Sequence, residues 1–301
     1  MSDVDSTFDS AWLQNGQGQP PTVQWAFRTD GTLAAFCLAR ESGEVFLGDE
    51  SAGIYRLNRR GKVAAVNQLR DSLRLFVCSE DGQWSYAVSG DRQVLRLDRN
   101  LQIDWDYETE EDILSLACSP FGHHLLITTA SATNILLNER KRKIARFETI
   151  KPLHFSNLCG TEPVVIGAAE NGLLCCHNLA GAQLWQERVW TNVGSMSVTG
   201  SGDIIYLANF GHGVNAYDGD GVSLGAYVLE GTVDRVASSY EPYRLVASTI
   251  EQYIYWLNSD GEMLWSSEAP CSVVDVACDP LGEWAIVGLQ SGDLLRLGWG
   301  V

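Results

Sequence analysis

Basic residues are scarce in this chain. Its 21 Lys and Arg stand against 38 Asp and Glu, for a formal net charge of −17 over 301 residues. Such a polyanion repels phosphate backbones, which disfavours nucleic acid as the main partner unless local basic patches offset it. Proline is sparse, at 8 residues, which excludes collagen-like and Pro-rich linker architectures. Long hydrophobic runs are missing too: Leu33–Ala39 stops at Arg40, far short of the ~20 residues a membrane helix needs. The opening MSDVDSTFDSAWLQNG has neither the basic nor the apolar region of a secretory signal. No C-x-x-C pair occurs among the eight Cys (37, 78, 118, 159, 175, 176, 271, 278), and most sit in apolar runs. That pattern predicts reduced thiols in a cytoplasmic protein, not a disulfide framework.

What is present is a globular composition, 45% hydrophobic, with 29 Gly and 10 Trp, and a strict repeat. Segments beginning at Leu33, Leu73, Ile113, Leu153, Val193, Val233 and Val273 follow one another at intervals of 40 residues without insertion. Late in each copy stand Asn58, Asp98, Asn138, Asn178, Asp218 and Asn258, with Gly298 in the last. Three residues further come Gly61, Gly181, Gly221 and Gly261, replaced by Leu101 and Lys141 in the second and third copies. Within a copy, as in VDRVASS, YRLVAST, YIYWL and EMLWSSE of the sixth, apolar and polar residues alternate between turn clusters. This is the signature of four short antiparallel strands, and units of about 40 residues built that way are propeller blades. The seventh copy stops after its third strand, LLRLGWGV, while VQWAFRTD near the N-terminus carries Trp25 at the phase of Trp265. The predicted fold is therefore all-β, a seven-bladed β-propeller at residues 21–301 closed by an N-terminal strand that completes the last blade. Residues 1–20 read as a polar, acidic tail.

Trp25, Trp105, Trp185 and Trp265 share one phase, in contexts such as NSDGEMLW and NLAGAQLW. On these residues the chain resembles the quinoprotein-like propeller repeat, whose fourth-strand Trp docks between blades, and more loosely the WD-repeat family. The resemblance spans nearly everything after the tail and implies the fold. The Trp-Asp and Gly-His pairs of WD repeats are missing, and Ala65, Ala145 and Gly225 stand at the Trp phase in alternate blades. The same resemblance raises a quinone-dependent dehydrogenase, which would use adjacent cysteines as a vicinal disulfide. The adjacent pair here, Cys175-Cys176, lies in the alternating run LLCCHNL, where neighbouring side chains face opposite ways.

No nucleophile elbow, zinc-protease motif, P-loop or dinucleotide fingerprint occurs. Asp218-Gly-Asp-Gly221 looks like a calcium loop, but NSDG, NLAG and NRRG fill the same slot elsewhere, so it reads as a hairpin turn. His123-His124 reads as a solvated corner. Glu110, Glu111 and Asp112 share one loop without a matching ring of acids from other blades. No catalytic residue, metal or cofactor is expected.

Charge is unevenly placed. Residues 1–151 hold 17 of the 21 bases and 21 of the 38 acids, leaving nets of −4 there and −13 in the rest. The bases gather around third-to-fourth-strand turns: Arg56, Arg59, Arg60 and Lys62 in blade one, Arg96 and Arg99 in blade two, Arg140, Lys141, Arg142 and Lys143 in blade three. These turns share a rim, so they predict a basic arc fit for an acidic protein segment, while blades four to seven suit a basic partner. A second candidate, on the opposite rim, joins Trp190 of blade four with Phe210 and His212 of blade five. A third is the tail, where Phe8, Trp12 and Leu13 fall at helical spacing, suited to docking on a partner or folding back. The functional expectation is a non-catalytic, cytoplasmic interaction scaffold. The rival is an enzyme, or a small-ligand or metal-binding protein, using the channel mouth.

Overall fold

In the computed structural model, which describes residues 10–211 and 213–299, seven antiparallel sheets form the blades of a propeller. Blade one is Leu33–Ala39, Glu44–Asp49, Gly53–Leu57 and Val63–Gln68, running from the central channel outwards. The same order recurs around the ring. Each second strand is almost wholly buried, as in Glu44–Asp49, because sheets cover both its faces; each fourth strand alternates outward. Blade seven is made of Val273–Cys278, Trp284–Leu289 and Asp293–Gly298, and Thr22–Arg28 pairs antiparallel with the last of these. The ring is thus closed by the N-terminal strand, which leaves blade seven without a third-to-fourth-strand turn.

Local geometry follows the repeat. In six blades the side chain of the late-turn Asn or Asp accepts backbone hydrogen bonds from two and four residues on. Asn58 Oδ1 accepts from Arg60 N (2.9 Å) and Lys62 N (3.2 Å), and Asp218 Oδ1 from Asp220 N (3.1 Å) and Val222 N (2.8 Å). Asp218 therefore does in blade five what Asn58 does in blade one. Blade four departs from the expected phase, its first strand being Phe155–Leu158 instead of starting at Leu153. Pro152 has no N–H to give, and the Leu153 carbonyl instead accepts from Thr128 Oγ1 (2.8 Å) and Ser115 Oγ (3.2 Å) of blade three.

Residues 10–20 are not a free tail. A short helix, Ala11–Gln14, and a two-residue strand, Gln17–Gly18, lie on blade six, the strand pairing outside Met263–Glu268. Leu13 is 1% exposed, in one core with Val246, Trp256, Trp265 and Leu297. Trp265 Nε1 donates to the Leu13 carbonyl (3.4 Å), Ser267 Oγ to that of Trp12 (2.5 Å) and Trp299 Nε1 to that of Gln19 (3.0 Å). Gly16 and Gly18 are demanded by closeness: an added Cβ at either would meet a blade-six carbonyl oxygen at 2.1 Å. No helix among the described residues is long and apolar enough to cross a membrane.

Candidate functional site

The blade junctions decide which candidate residues stay free. The outer-strand Trp of one blade reaches the late turn of the next: Trp105 Nε1 donates to the Glu139 carbonyl (3.1 Å) and Trp185 Nε1 to that of Gly219 (3.0 Å). The turn glycine makes room, since an added Cβ would come within 2.8 Å of Trp185 at Gly221 and 2.6 Å of Trp25 at Gly61. Where Ala65 replaces the Trp, the facing turn carries Leu101, fully buried at φ 61°, and the volume is restored from the other side. Where Ala145 and Gly225 replace it, Phe147 and Tyr227 do the packing two residues on, on the same strand face, against Gly181 and Gly261. Tyr227 Oη donates to the Ser259 carbonyl (2.6 Å). At the six–seven junction no turn exists, and the Leu13 carbonyl takes its place.

These contacts split the expected basic arc. Arg56 is buried and paired through Nη1 with Glu44 Oε1 (2.6 Å), which also takes Arg99 Nη2 from the next blade (2.8 Å). Arg59 is exposed but turned onto its own blade, donating to the carbonyls of Ser42 and Glu41. Arg96, 5% exposed, stacks 3.6 Å over Trp84 and gives Nη1 to Asp104 (3.1 Å) and the Glu139 carbonyl (2.6 Å). Arg56 and Arg96 are therefore internal struts, not partner-facing residues. They sit inside third strands (Gly53–Leu57 and Gln93–Asp98), and a signal was available: Arg296 repeats the Arg96 stack, 3.7 Å over Trp284. Arg60 and Lys62 remain exposed in blade one, as do Arg140, Lys141, Arg142 and Lys143 in blade three. The usable positive charge is thus concentrated on blade three.

Two open grooves of similar size occupy the same repeat address on this rim. The one between blades two and three, about 570 Å³, is lined by Trp84, Arg96, Trp105, His123, Arg140 and Lys141, with Asp104 and Glu139. His123 Nδ1 lies 2.9 Å from Glu139 Oε2, which holds that exposed carboxylate below its ordinary value. The one between blades four and five, about 580 Å³, has Leu184 and Trp185 on its floor and Glu162, Asp203, Asp218 and Asp220 around it. Among the described residues no Lys, Arg or His lines it.

The central channel, about 620 Å³, is lined by the first strands of all seven blades. Serines bind its walls together: Ser195 Oγ accepts the N–H of Val236 (2.8 Å) and Ser197 Oγ that of Ser238 (2.9 Å). On blades six and seven the wall carries Arg235, whose Nε donates to the Val274 carbonyl (2.8 Å) and whose Nη1 lies 3.6 Å from Asp234 Oδ2. Asp275 shares this wall, touching channel solvent yet enclosed by the ring. Burial pushes its pKa up to about 6, and Arg235 offsets only part of that. In a smaller cavity of about 180 Å³, Cys37, Cys78 and Cys118 come from neighbouring blades; burial drives the Cys37 and Cys118 thiols well above their ordinary range, leaving them protonated and weakly nucleophilic. Cys175 and Cys176 are free and lie in separate cores, as alternation requires. Among the described residues no group of three or more His, Cys, Asp or Glu is placed to hold a metal ion.

On the opposite rim the Phe210 N–H donates to the Asn192 carbonyl (3.2 Å), just before the first strand of the same blade. Trp190 is 80% exposed, with the Arg188 guanidinium 4.1 Å from its ring centroid, and Phe210 is 40% exposed. His212 and Phe8 lie outside the described residues. Trp12 is half-buried and stacks obliquely on Trp265 (6.4 Å), and it and Leu13 pack into the chain's own core. The helical spacing of Phe8 with Trp12 and Leu13 could not say what covers Trp12 and Leu13. No protein-family model matches this sequence, and no curated protein matches it. The likeness to quinoprotein-like and WD repeats is one of fold alone.

Proposed function

We propose that this protein is a non-catalytic cytoplasmic scaffold that binds other proteins through its rims, as one subunit of a larger assembly. The observation that carries the reading is the run Arg140–Lys143: four consecutive exposed bases on a rim of a strongly acidic molecule. Among the described residues only loose ion pairs engage them, Arg140 at 3.9 Å from Glu139 and Lys141 at 3.9 Å from Asp106. An acidic partner segment docks there, and blades four to seven suit a basic one. Exposed Trp190 and Phe210 offer a separate contact on the other rim. The test is affinity purification from the native host under low salt, comparing the full chain with a form reversed to Glu at all four positions. Loss of the same partners on reversal supports the reading; recovery of the monomer alone in both cases sinks it.

The rival reading, a small-ligand or metal-binding enzyme at the channel mouth, draws on Arg235 and Asp275 sharing one wall of the channel. A metal or small molecule retained by the purified protein, and lost on Asp275→Asn, would favour it.

A further inference from the structure

The groove between blades four and five shares its repeat address with the place where this chain lays its own N-terminal segment. At four–five the late turn of blade five is present, Ile166 and Cys176 are already buried, and Leu184 is the apolar residue left open. Leu13 is buried among Val246, Trp256 and Trp265, with Leu264 and Trp12 packed alongside. Val246, Trp256, Leu264 and Trp265 stand 80 residues after Ile166, Cys176, Leu184 and Trp185, which line the four–five groove. The repeat thus places the same floor at both junctions. At six–seven it is covered by Trp12 and Leu13; at four–five Leu184 is left 54% exposed. The late turn of blade five covers only part of Trp185, through the Gly219 carbonyl.

We propose that the four–five groove docks a short segment of a partner protein bearing an apolar anchor, a Leu or Trp, flanked by Lys or Arg. This rests on the scaffold reading and names the partner chemistry of one surface. The anchor is argued from Leu13 and Trp12 seated at the equivalent address. The flanking charge is argued from Glu162, Asp203, Asp218 and Asp220, with no base among the described residues of the lining to neutralise them. A second copy of this chain's own N-terminal segment fits poorly, because its first 20 residues hold Asp3, Asp5 and Asp9 and no base.

The test uses the full chain and a dye-labelled peptide that keeps the Ala-Trp-Leu and Gly-x-Gly of residues 11–18 and replaces the intervening polar positions with lysine. Fluorescence anisotropy should show saturable binding that weakens by about tenfold or more in Asp203→Lys/Asp220→Lys, and again in Leu184→Glu. Arg140→Glu/Lys141→Glu at the two–three groove should leave it within about twofold. Unchanged melting temperatures would separate lost binding from lost folding. Absence of saturable binding overturns the proposal, as does binding indifferent to the four–five substitutions. Self-association in sedimentation that Leu184→Glu abolishes would assign the groove to a second copy, and equally overturn it. Because the scaffold reading is tested on the blade-three bases, a chain that captures partners through those bases but ignores this peptide would lose only the groove.

Discussion

Junctions one–two and four–five solve one packing problem with opposite parts. At four–five a large outer-strand Trp185 meets a turn reduced to Gly221; at one–two a small Ala65 meets an enlarged turn residue, Leu101. The first leaves an open groove bordered by acids. The second is locked by Glu44, a buried carboxylate shared between Arg56 and Arg99. The lesson is that one repeat address is locked by internal ion pairs at junction one–two and left open, bordered by acids, at junction four–five.

That contrast can be broken most forcefully at Glu44. Glu44→Ala strands the buried Arg56 guanidinium and should cost about 3–5 kcal/mol in urea unfolding, because one partner of a buried pair is left uncompensated. Trp265→Ala should cost about 3–5 kcal/mol, since Trp265 is fully enclosed by the N-terminal segment. Trp185→Ala at the open junction should cost clearly less. Equal losses at Trp265 and Trp185 would mean that the four–five groove is as closed as six–seven.

A smaller effect separates the halves by pH. Asp275 has a folded-state pKa near 6, above its ordinary 3.8, so the native state holds this proton more tightly than the unfolded chain. Stability contributed by this group is therefore fully present below about pH 4 and is lost as pH rises towards 6, by on the order of 1–3 kcal/mol. Asp275→Asn should flatten that part of the stability–pH curve; an unchanged slope would show that channel water already solvates the carboxylate. Smallest of all, reversing Arg140, Lys141, Arg142 and Lys143 should move stability by no more than about 0.5 kcal/mol, while weakening capture of an acidic partner. A large drop in melting temperature would instead make the run part of the fold.

The sequence made the fold legible because a period of 40 residues survives in turn chemistry: Asn58 and its equivalents accept the same two backbone hydrogens in six of the blades. Ring closure was legible from Trp25 falling in phase with Trp265. The candidate sites were less so. Arg56 and Arg96 look like surface charge in one dimension, and only their register beside Ala65 and Trp105 shows that they point into a junction. Leu13 and Trp12 showed an amphipathic spacing whose cover lay some 250 residues away. Trp190 carried no such ambiguity in space, being exposed, yet alternation alone cannot tell a rim aromatic that packs inward from one that does not.

The N-terminal segment has a consequence for the order in which the molecule assembles. Its contacts, Leu13 with Trp265 and Gln19 with Trp299, join the first part of the chain to the last. A ribosome releases those partners far apart in time. Blades one to six can form in sequence from local hairpins, but Trp25, Leu13 and Gln19 must wait for partners that follow them by some 250 residues or more. Closure is then a single late event of very high sequence separation, and such events set slow folding steps. Until it occurs, the outer face of blade six and the edge of blade seven both lack their final strand, so the nascent ring is most vulnerable at the seam where the finished one is most densely packed with tryptophan.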